Sequence, residues 1–101
     1  MSFNKLVRDK IPEIIEKSGY RPIVRVMDDG EYLTALRNKL DEEVQEYHES
    51  GEIEELADVL EVVYALCEAE GHTVDELLSV YTKKHDERGG FKEKIFLIDK
   101  E

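Results

Sequence analysis

Residues 31–70 read EYLTALRNKLDEEVQEYHESGEIEELADVLEVVYALCEAE, and they contain two helical patterns joined by Ser50 and Gly51. In the first pattern, over residues 31–50, apolar side chains recur at steps of three and four, the spacing of one helix face: Leu33, Leu36, Leu40, Val44 and Tyr47. The second pattern, over residues 52–70, is apolar almost all round except for a stripe that we assign to solvent: Glu54, Glu61 and Glu68. The stretch therefore predicts two long helices that fold back on each other at Gly51.

Two further helices are predicted on either side of this hairpin. A short helix over residues 11–18 is indicated by Pro12, which suits a first turn, and by Gly19, which suits a helix end. A third long helix begins near Thr73 and ends before Gly89. The chain thus has three principal helices and one short one.

Two segments predict a small β element beside the helices. Residues 21–27 (RPIVRVM) and residues 95–99, which begin IFLI, are rich in the β-branched and aromatic side chains that strands favour. The expected fold is a mainly α single domain over residues 1–101. Because the second long helix has more apolar surface than its neighbours in one short chain can cover, we expect a helical bundle completed by a homodimer or homotetramer.

Composition excludes several classes of protein. The 101 residues carry a formal net charge of -11, with 41% hydrophobic and 39% charged side chains, so the chain is too apolar for a disordered acidic tail. The acidic balance argues against non-specific nucleic-acid binding, and no apolar run approaches the roughly 20 residues that span a membrane. The lone Cys67 predicts a reducing, cytoplasmic location.

The charges are unevenly distributed along the chain. Residues 31–82 contain 15 acidic and two basic side chains, whereas the other 12 basic residues lie toward the two ends. An acidic centre suits a metal cation, and basic flanks suit phosphate groups. A solvated helical face with ordinary ends explains the same pattern without any ligand.

Four carboxylates are placed to converge on one side of the hairpin. Glu46 and Glu55 lie about 6 to 7.5 Å from the turn along their helix axes, and Glu43 and Asp58 lie roughly 10 to 12 Å from it. Four carboxylate oxygen donors suit Mg²⁺, with Mn²⁺ as the other candidate, because no cysteine or histidine is placed to complete a set of softer metal ligands. The alternative is four solvated acids with helical ion-pair partners such as Lys39.

These residues also resemble a known enzyme superfamily. Residues 42–46 read EExxE and residues 55–58 read ExxD, a pair similar to the signature of the all-α nucleoside triphosphate pyrophosphohydrolases. Residues 4–15 (NKLVRDKIPEII) and residues 87–97 (ERGGFKEKIFL) resemble its small single-domain MazG-like, or phosphoribosyl-ATP pyrophosphohydrolase-like, branch. The resemblance implies Mg²⁺-dependent hydrolysis of a nucleoside triphosphate to its monophosphate and pyrophosphate, with four metal ligands: Glu43, Glu46, Glu55 and Asp58.

The chemistry of such a reaction assigns further roles. One of the four carboxylates can hold the attacking water, with Glu43 and Glu46 as the favoured catalytic candidates, and the sequence does not separate metal ligand from base. The triphosphate needs protein cations, which the two basic ends supply: Lys5, Arg8, Lys10, Lys83, Lys84, Arg88 and Lys92. The aromatic side chains available to stack on a base are Phe3, Tyr20, Tyr32 and Phe91.

The sequence therefore predicts a nucleotide pyrophosphohydrolase that removes noncanonical or surplus nucleotides. A non-catalytic acidic helical module that binds a partner protein or buffers divalent ions is the alternative from another class. Hydrolysis of phosphoribosyl-ATP is the alternative within the enzyme class.

Overall fold

The computed structural model describes residues 4–101, and these residues form four helices in chain order. The helices are α1 (Ile11–Lys17), α2 (Asp29–Ser50), α3 (Ile53–Ala69) and α4 (Val74–Arg88). None of the helices in this described part combines the length and apolar character needed to cross a bilayer.

The central unit of the fold is the hairpin of α2 and α3. Asp28 caps the start of α2 by accepting a hydrogen bond from the Glu31 backbone N–H at 2.8 Å. Gly51 ends the helix with a left-handed φ of 67°, and its N–H donates to the Tyr47 carbonyl at 2.7 Å. This turn brings α3 back along α2, and their packing is by far the most extensive between elements. The predicted helical hairpin is confirmed.

The core of the single chain lies between these two helices and is small. Leu36 of α2 is 3% exposed and Val62 of α3 is 7% exposed, and they are the buried apolar residues of the described chain. Arg37 and Glu70 add an exposed ion pair at 3.4 Å near the open end of the hairpin. Because such exposed pairs contribute little, apolar packing around Leu36 and Val62 is the main source of stability.

The fourth helix extends beyond this hairpin. Thr73 caps α4 by accepting from the Glu76 N–H at 3.1 Å, and the Cys67 thiol lies 3.2 Å from the Thr73 carbonyl oxygen. α4 packs against α3 over a short length, and none of its residues is buried. The position of α4 is therefore determined by its N-terminal cap and by the turn after α3 more than by packing in a core.

The prediction of a mainly α chain is confirmed, and two of its details are corrected. The expected bundle of three principal helices becomes four helices in the described chain, because the short helix predicted over residues 11–18 is present as α1. The predicted β element is wrong, because residues 21–27 and 95–99 form no strand within residues 4–101. Their β-branched side chains favour an extended backbone, but neither segment has a partner to complete a hydrogen-bonded ladder.

The single chain is elongated and leaves much apolar surface in solvent. Its Cα radius of gyration is 18.0 Å, whereas a compact chain of this length has about 13 Å. Exposed apolar side chains include Ile23 and Val26 in the predicted strand region and a stripe on α3: Ile53, Leu56 and Leu60. The fold therefore presents far more apolar surface than its own core uses.

The turn at Gly51 gives a test of the hairpin. Replacing Gly51 with alanine should lower the free energy of unfolding by about 1 kcal/mol, because a side chain at a left-handed φ is strained. A Cβ there would contact nothing within 4 Å, so the backbone conformation alone accounts for the loss. Urea denaturation measures the change.

Gly30→Ala is the matched control, since Gly30 lies inside α2 and its added Cβ would meet Asp28 Oδ1 at an ordinary 3.6 Å. This variant should be as stable as the wild type or more stable by up to about 1 kcal/mol. Equal losses in both variants would contradict the assignment of the turn.

Candidate metal centre

Three carboxylates from the hairpin converge on one point. Glu43 projects from the middle of α2, and Glu55 and Asp58 project from the first two turns of α3. One ligand oxygen from each lies within 4.8 Å of the others. Glu55 and Asp58 are three residues apart, so they share one helix face, and the antiparallel packing places Glu43 opposite them.

Glu43 is the buried member of this triad. The residue is 8% exposed, and its Oε2 atom has no hydrogen-bond partner among the described residues. Its other oxygen, Oε1, lies 3.7 Å from the Lys39 ammonium one turn earlier. A buried carboxylate oxygen without a partner is costly, so a cation bound at the triad would offset this cost.

The electrostatics of the triad disfavour three free negative charges. Burial raises the pKa of Glu43, and the nearby charges of Glu46 and Asp58 raise it further, while Lys39 opposes them. Burial likewise raises the pKa of Glu55, with the charges of Glu46, Asp58 and Glu52 adding to the effect. A bound cation would reverse this penalty, because it would compensate the crowded negative charge.

Glu46 belongs to the same neighbourhood but not to the tight triad. Its charge raises the pKa of both Glu43 and Glu55, so it lies close to them. Its carboxylate is outside the group whose atoms lie within 4.8 Å of one another, and the residue is exposed. The structure thus brings three of the four predicted ligands together and leaves Glu46 beside them.

Arg8 contacts the triad from the segment before α1. Its Nη2 donates to Asp58 Oδ1 at 2.6 Å, and its Nη1 lies 3.7 Å from Glu61 Oε1. Glu61 is one turn beyond Asp58 on α3, so the guanidinium spans two carboxylates of one face. Arg8 is one of the predicted phosphate-binding cations, and it contacts the triad through Asp58.

A cavity of about 460 Å³ adjoins the triad, and residues 6–9 line part of it. Its charged lining residues are Arg8, Asp9, Lys39, Glu43, Asp58, Glu61 and Glu68. Its apolar and aromatic lining residues are Leu6, Val7, Tyr32, Leu36, Val62, Ala65 and Ala69. The cavity therefore offers contacts for a polar group and for a flat or aliphatic one.

Most other predicted site residues lie elsewhere. None of the remaining six cations lines the cavity within the described part of the chain: Lys5, Lys10, Lys83, Lys84, Arg88 and Lys92. Of the aromatic candidates, Tyr32 lines it, Tyr20 and Phe91 are exposed outside it, and Phe3 lies outside the described residues. In the described part of the single chain, the four C-terminal cations of this set (Lys83, Lys84, Arg88 and Lys92) therefore do not line the same cavity as the acidic triad.

Sequence reasoning missed several cavity residues for identifiable reasons. Glu61 was assigned to the solvent stripe of α3, and it is largely exposed, but Arg8 reaches it from a distant segment. Lys39 was considered only as a helical partner of Glu43, yet it also lines the cavity. Ala65 and Ala69 could have been found, because they continue the face of Glu55 and Asp58 and their small side chains leave space beside it.

Comparison with known proteins gives one partial match and no functional assignment. A protein of Mycolicibacterium smegmatis, described as uncharacterized, is 57% identical over 42 residues, which is 42% of this chain. The match spans 43% of that protein's length. No protein-family model matches the chain, and no solved structure matches it.

The buried charge of Glu43, crowded by other carboxylates, predicts a gain in stability when it is removed. In buffer containing EDTA at pH 7, Glu43→Gln should raise the melting temperature by a few degrees, where about 1 kcal/mol corresponds to roughly 4 to 8 °C. The pKa of Glu43 is raised in the folded protein. Ionisation of Glu43 therefore lowers the stability of the folded state at a pH above this raised pKa. The loss disappears at a pH below the ordinary glutamate pKa, where Glu43 is protonated in both the folded and the unfolded state. The advantage of the variant should therefore shrink as the pH falls toward about 5.

Glu42→Gln is the control for this measurement. Glu42 is the adjacent residue, is exposed, and pairs with Lys39 at 3.4 Å, so its replacement should change stability by less than about 0.5 kcal/mol. A Glu43→Gln protein that is less stable than the wild type at pH 7 would contradict the electrostatic account of the triad.

Proposed function

We propose that the protein is a Mg²⁺-dependent nucleoside triphosphate pyrophosphohydrolase, which uses water to convert a nucleoside triphosphate to its monophosphate and pyrophosphate. The observation that carries the proposal is the convergence of Glu43, Glu55 and Asp58, together with a buried oxygen of Glu43, Oε2, that has no hydrogen-bond partner among the described residues. The resemblance of residues 42–46 and 55–58 to the pyrophosphohydrolase signature supports the same reaction.

The donor set favours a hard cation. All three groups are carboxylates, which suit Mg²⁺ and Mn²⁺ and leave the remaining coordination positions for water and phosphate oxygens. When bound, the ion would polarise phosphoryl oxygens and lower the pKa of a coordinated water. Glu43, Glu55 and Asp58 are the proposed ligands.

Glu46 and Glu43 are proposed to have different roles, proton acceptance and metal coordination respectively. Glu46 is an exposed carboxylate beside the triad, so it can accept the proton of the attacking water without giving up a ligand position. Glu43 is buried and fixed on α2, so it is better suited to coordination. We therefore place the general base at Glu46.

The adjoining cavity suits a nucleotide better than inorganic polyphosphate. Glu43 and Asp58 of the triad line it, and the phosphates would lie beside them, while Tyr32, Ala65 and Ala69 line it farther along the hairpin. A base and sugar would lie against these three residues, with the Tyr32 ring available for stacking. A noncanonical or surplus nucleotide remains the proposed substrate.

A second copy of the chain is the proposed occupant of the exposed apolar surface. Ile53, Leu56 and Leu60 form one stripe on α3, and Leu78 and Tyr81 are exposed on α4. Helices with unpaired apolar stripes pack against each other in bundles. Such an assembly, a homodimer or homotetramer, would also explain why a single chain has an 18.0 Å radius of gyration.

The substrate test is incubation with Mg²⁺ and a panel of common, deoxy and modified nucleoside triphosphates, with pyrophosphate and monophosphate measured together. We expect equal amounts of both products from at least one substrate. Asp58→Asn and Glu43→Gln should lower kcat/KM at least ~100-fold, about 2.7 kcal/mol of transition-state stabilisation. Glu42→Gln, with its exposed carboxylate, is the matched control and should retain activity.

Failure to release pyrophosphate from any of these substrates, in a protein that still binds Mn²⁺, would overturn the proposed reaction. It would instead favour the non-catalytic ion-binding module. Phosphoribosyl-ATP belongs in the same panel, because a strong preference for it would assign the alternative enzyme.

The assembly test is light scattering coupled to size-exclusion chromatography at micromolar concentration. We expect a dimer or tetramer, and Leu60→Glu should dissociate it because a charge would be buried in the α3 interface. Glu54→Gln, on the solvent stripe of the same helix, should leave the assembly intact. A monomeric wild-type protein would contradict the proposed bundle.

A further inference from the structure

The Arg8 guanidinium already occupies one edge of the acidic site. Its Nη2 lies 2.6 Å from Asp58 Oδ1, a short charge-assisted hydrogen bond. Asp58 is also a member of the triad whose ligand atoms lie within 4.8 Å of one another. The Asp58 carboxylate thus binds the Arg8 guanidinium and is also a proposed ligand of the metal ion.

A guanidinium and a divalent ion bound at the same carboxylate repel each other. An ion on the triad would lie within a few ångströms of the Arg8 charge, where repulsion between a single and a double positive charge is strong. Arg8 also contacts Glu61 at 3.7 Å, so it has a second carboxylate to hold it near the site. Metal binding should therefore compete with the Arg8–Asp58 pair.

The Arg8 side chain has solvent on one side, so a change of rotamer can take it away from Asp58. Residues 4–10 form no helix or strand, and the Arg8 side chain is 55% exposed. Arg8 also lines the cavity at the end where the triad lies. A guanidinium released from Asp58 would stay at the mouth of this cavity, where a phosphate is its natural partner.

We infer that Arg8 is an internal counter-cation, which a bound divalent ion displaces from Asp58 and which then pairs with the phosphates of the ligand. The inference rests on the proposed function for its metal and phosphate, but it adds an exchange that the reaction itself does not require. Arg8 is thus a binding residue that changes partner. It lowers the affinity of the site for the metal ion alone and raises the affinity for the metal ion with phosphate.

The test compares two titrations by calorimetry at constant ionic strength. The first uses Mn²⁺ alone, and the second uses the preformed complex of Mn²⁺ with inorganic triphosphate. Arg8→Ala should bind Mn²⁺ alone about 10-fold more tightly than the wild type and should bind the triphosphate complex about 10-fold more weakly. Arg8→Lys should fall between the two proteins in both titrations, because lysine keeps the charge without the bidentate geometry.

Arg37→Ala is the matched control. Arg37 is an exposed arginine of α2 that pairs with Glu70 at 3.4 Å, and it does not line the cavity. Its removal should change neither titration, whereas a general loss of positive charge would change both.

The outcomes separate this inference from the proposed function. If Arg8→Ala weakens both titrations, or leaves Mn²⁺ binding unchanged, Arg8 only supports the structure and the exchange is wrong, while the metal site stands. If the wild type binds Mn²⁺ no more tightly than Asp58→Asn does, the metal site and the exchange both fail.

Discussion

The antiparallel packing of α2 against α3 is the interaction on which the rest of the structure depends. It buries Leu36 and Val62, the small apolar core of the chain. The same packing places the carboxylate of Glu43 opposite Asp58 and leaves its Oε2 without a partner. Apolar burial therefore stabilises an arrangement that is electrostatically unfavourable by itself, as is common where a site is built for a ligand.

The remainder of the chain is arranged around this hairpin without a large core of its own. α4 contacts α3 over a short length, and residues 21–27 and 95–99 lie outside regular secondary structure. Their apolar side chains have no partner within the described chain that buries them. A single chain of 101 residues buries only a modest core in any case, and the proposed packing between copies would enlarge it.

The helices were predictable because their signals are local. Each signal depends on residues that are close together in sequence. Leucines at steps of three and four indicate a helix face, Pro12 indicates a first turn, and Gly51 indicates a helix end. The strands could not be predicted reliably, because a β-branched segment such as residues 21–27 becomes a strand only when a partner pairs with it. The convergence of Glu43, Glu55 and Asp58 followed from helix geometry and the turn. The contact between Arg8 and Asp58 joins residues 50 apart in sequence, and no periodic pattern reports such a contact.

The central claim is that Glu43, Glu55 and Asp58 bind one divalent ion together. A crystal grown with Mn²⁺, with anomalous diffraction recorded near the manganese edge, tests it most directly. The account predicts an anomalous peak within coordination distance, about 2 Å, of an oxygen of each of the three carboxylates, with the Arg8 guanidinium moved away from Asp58. An absence of any peak at the triad, with Arg8 still bound to Asp58 at saturating Mn²⁺, would contradict it.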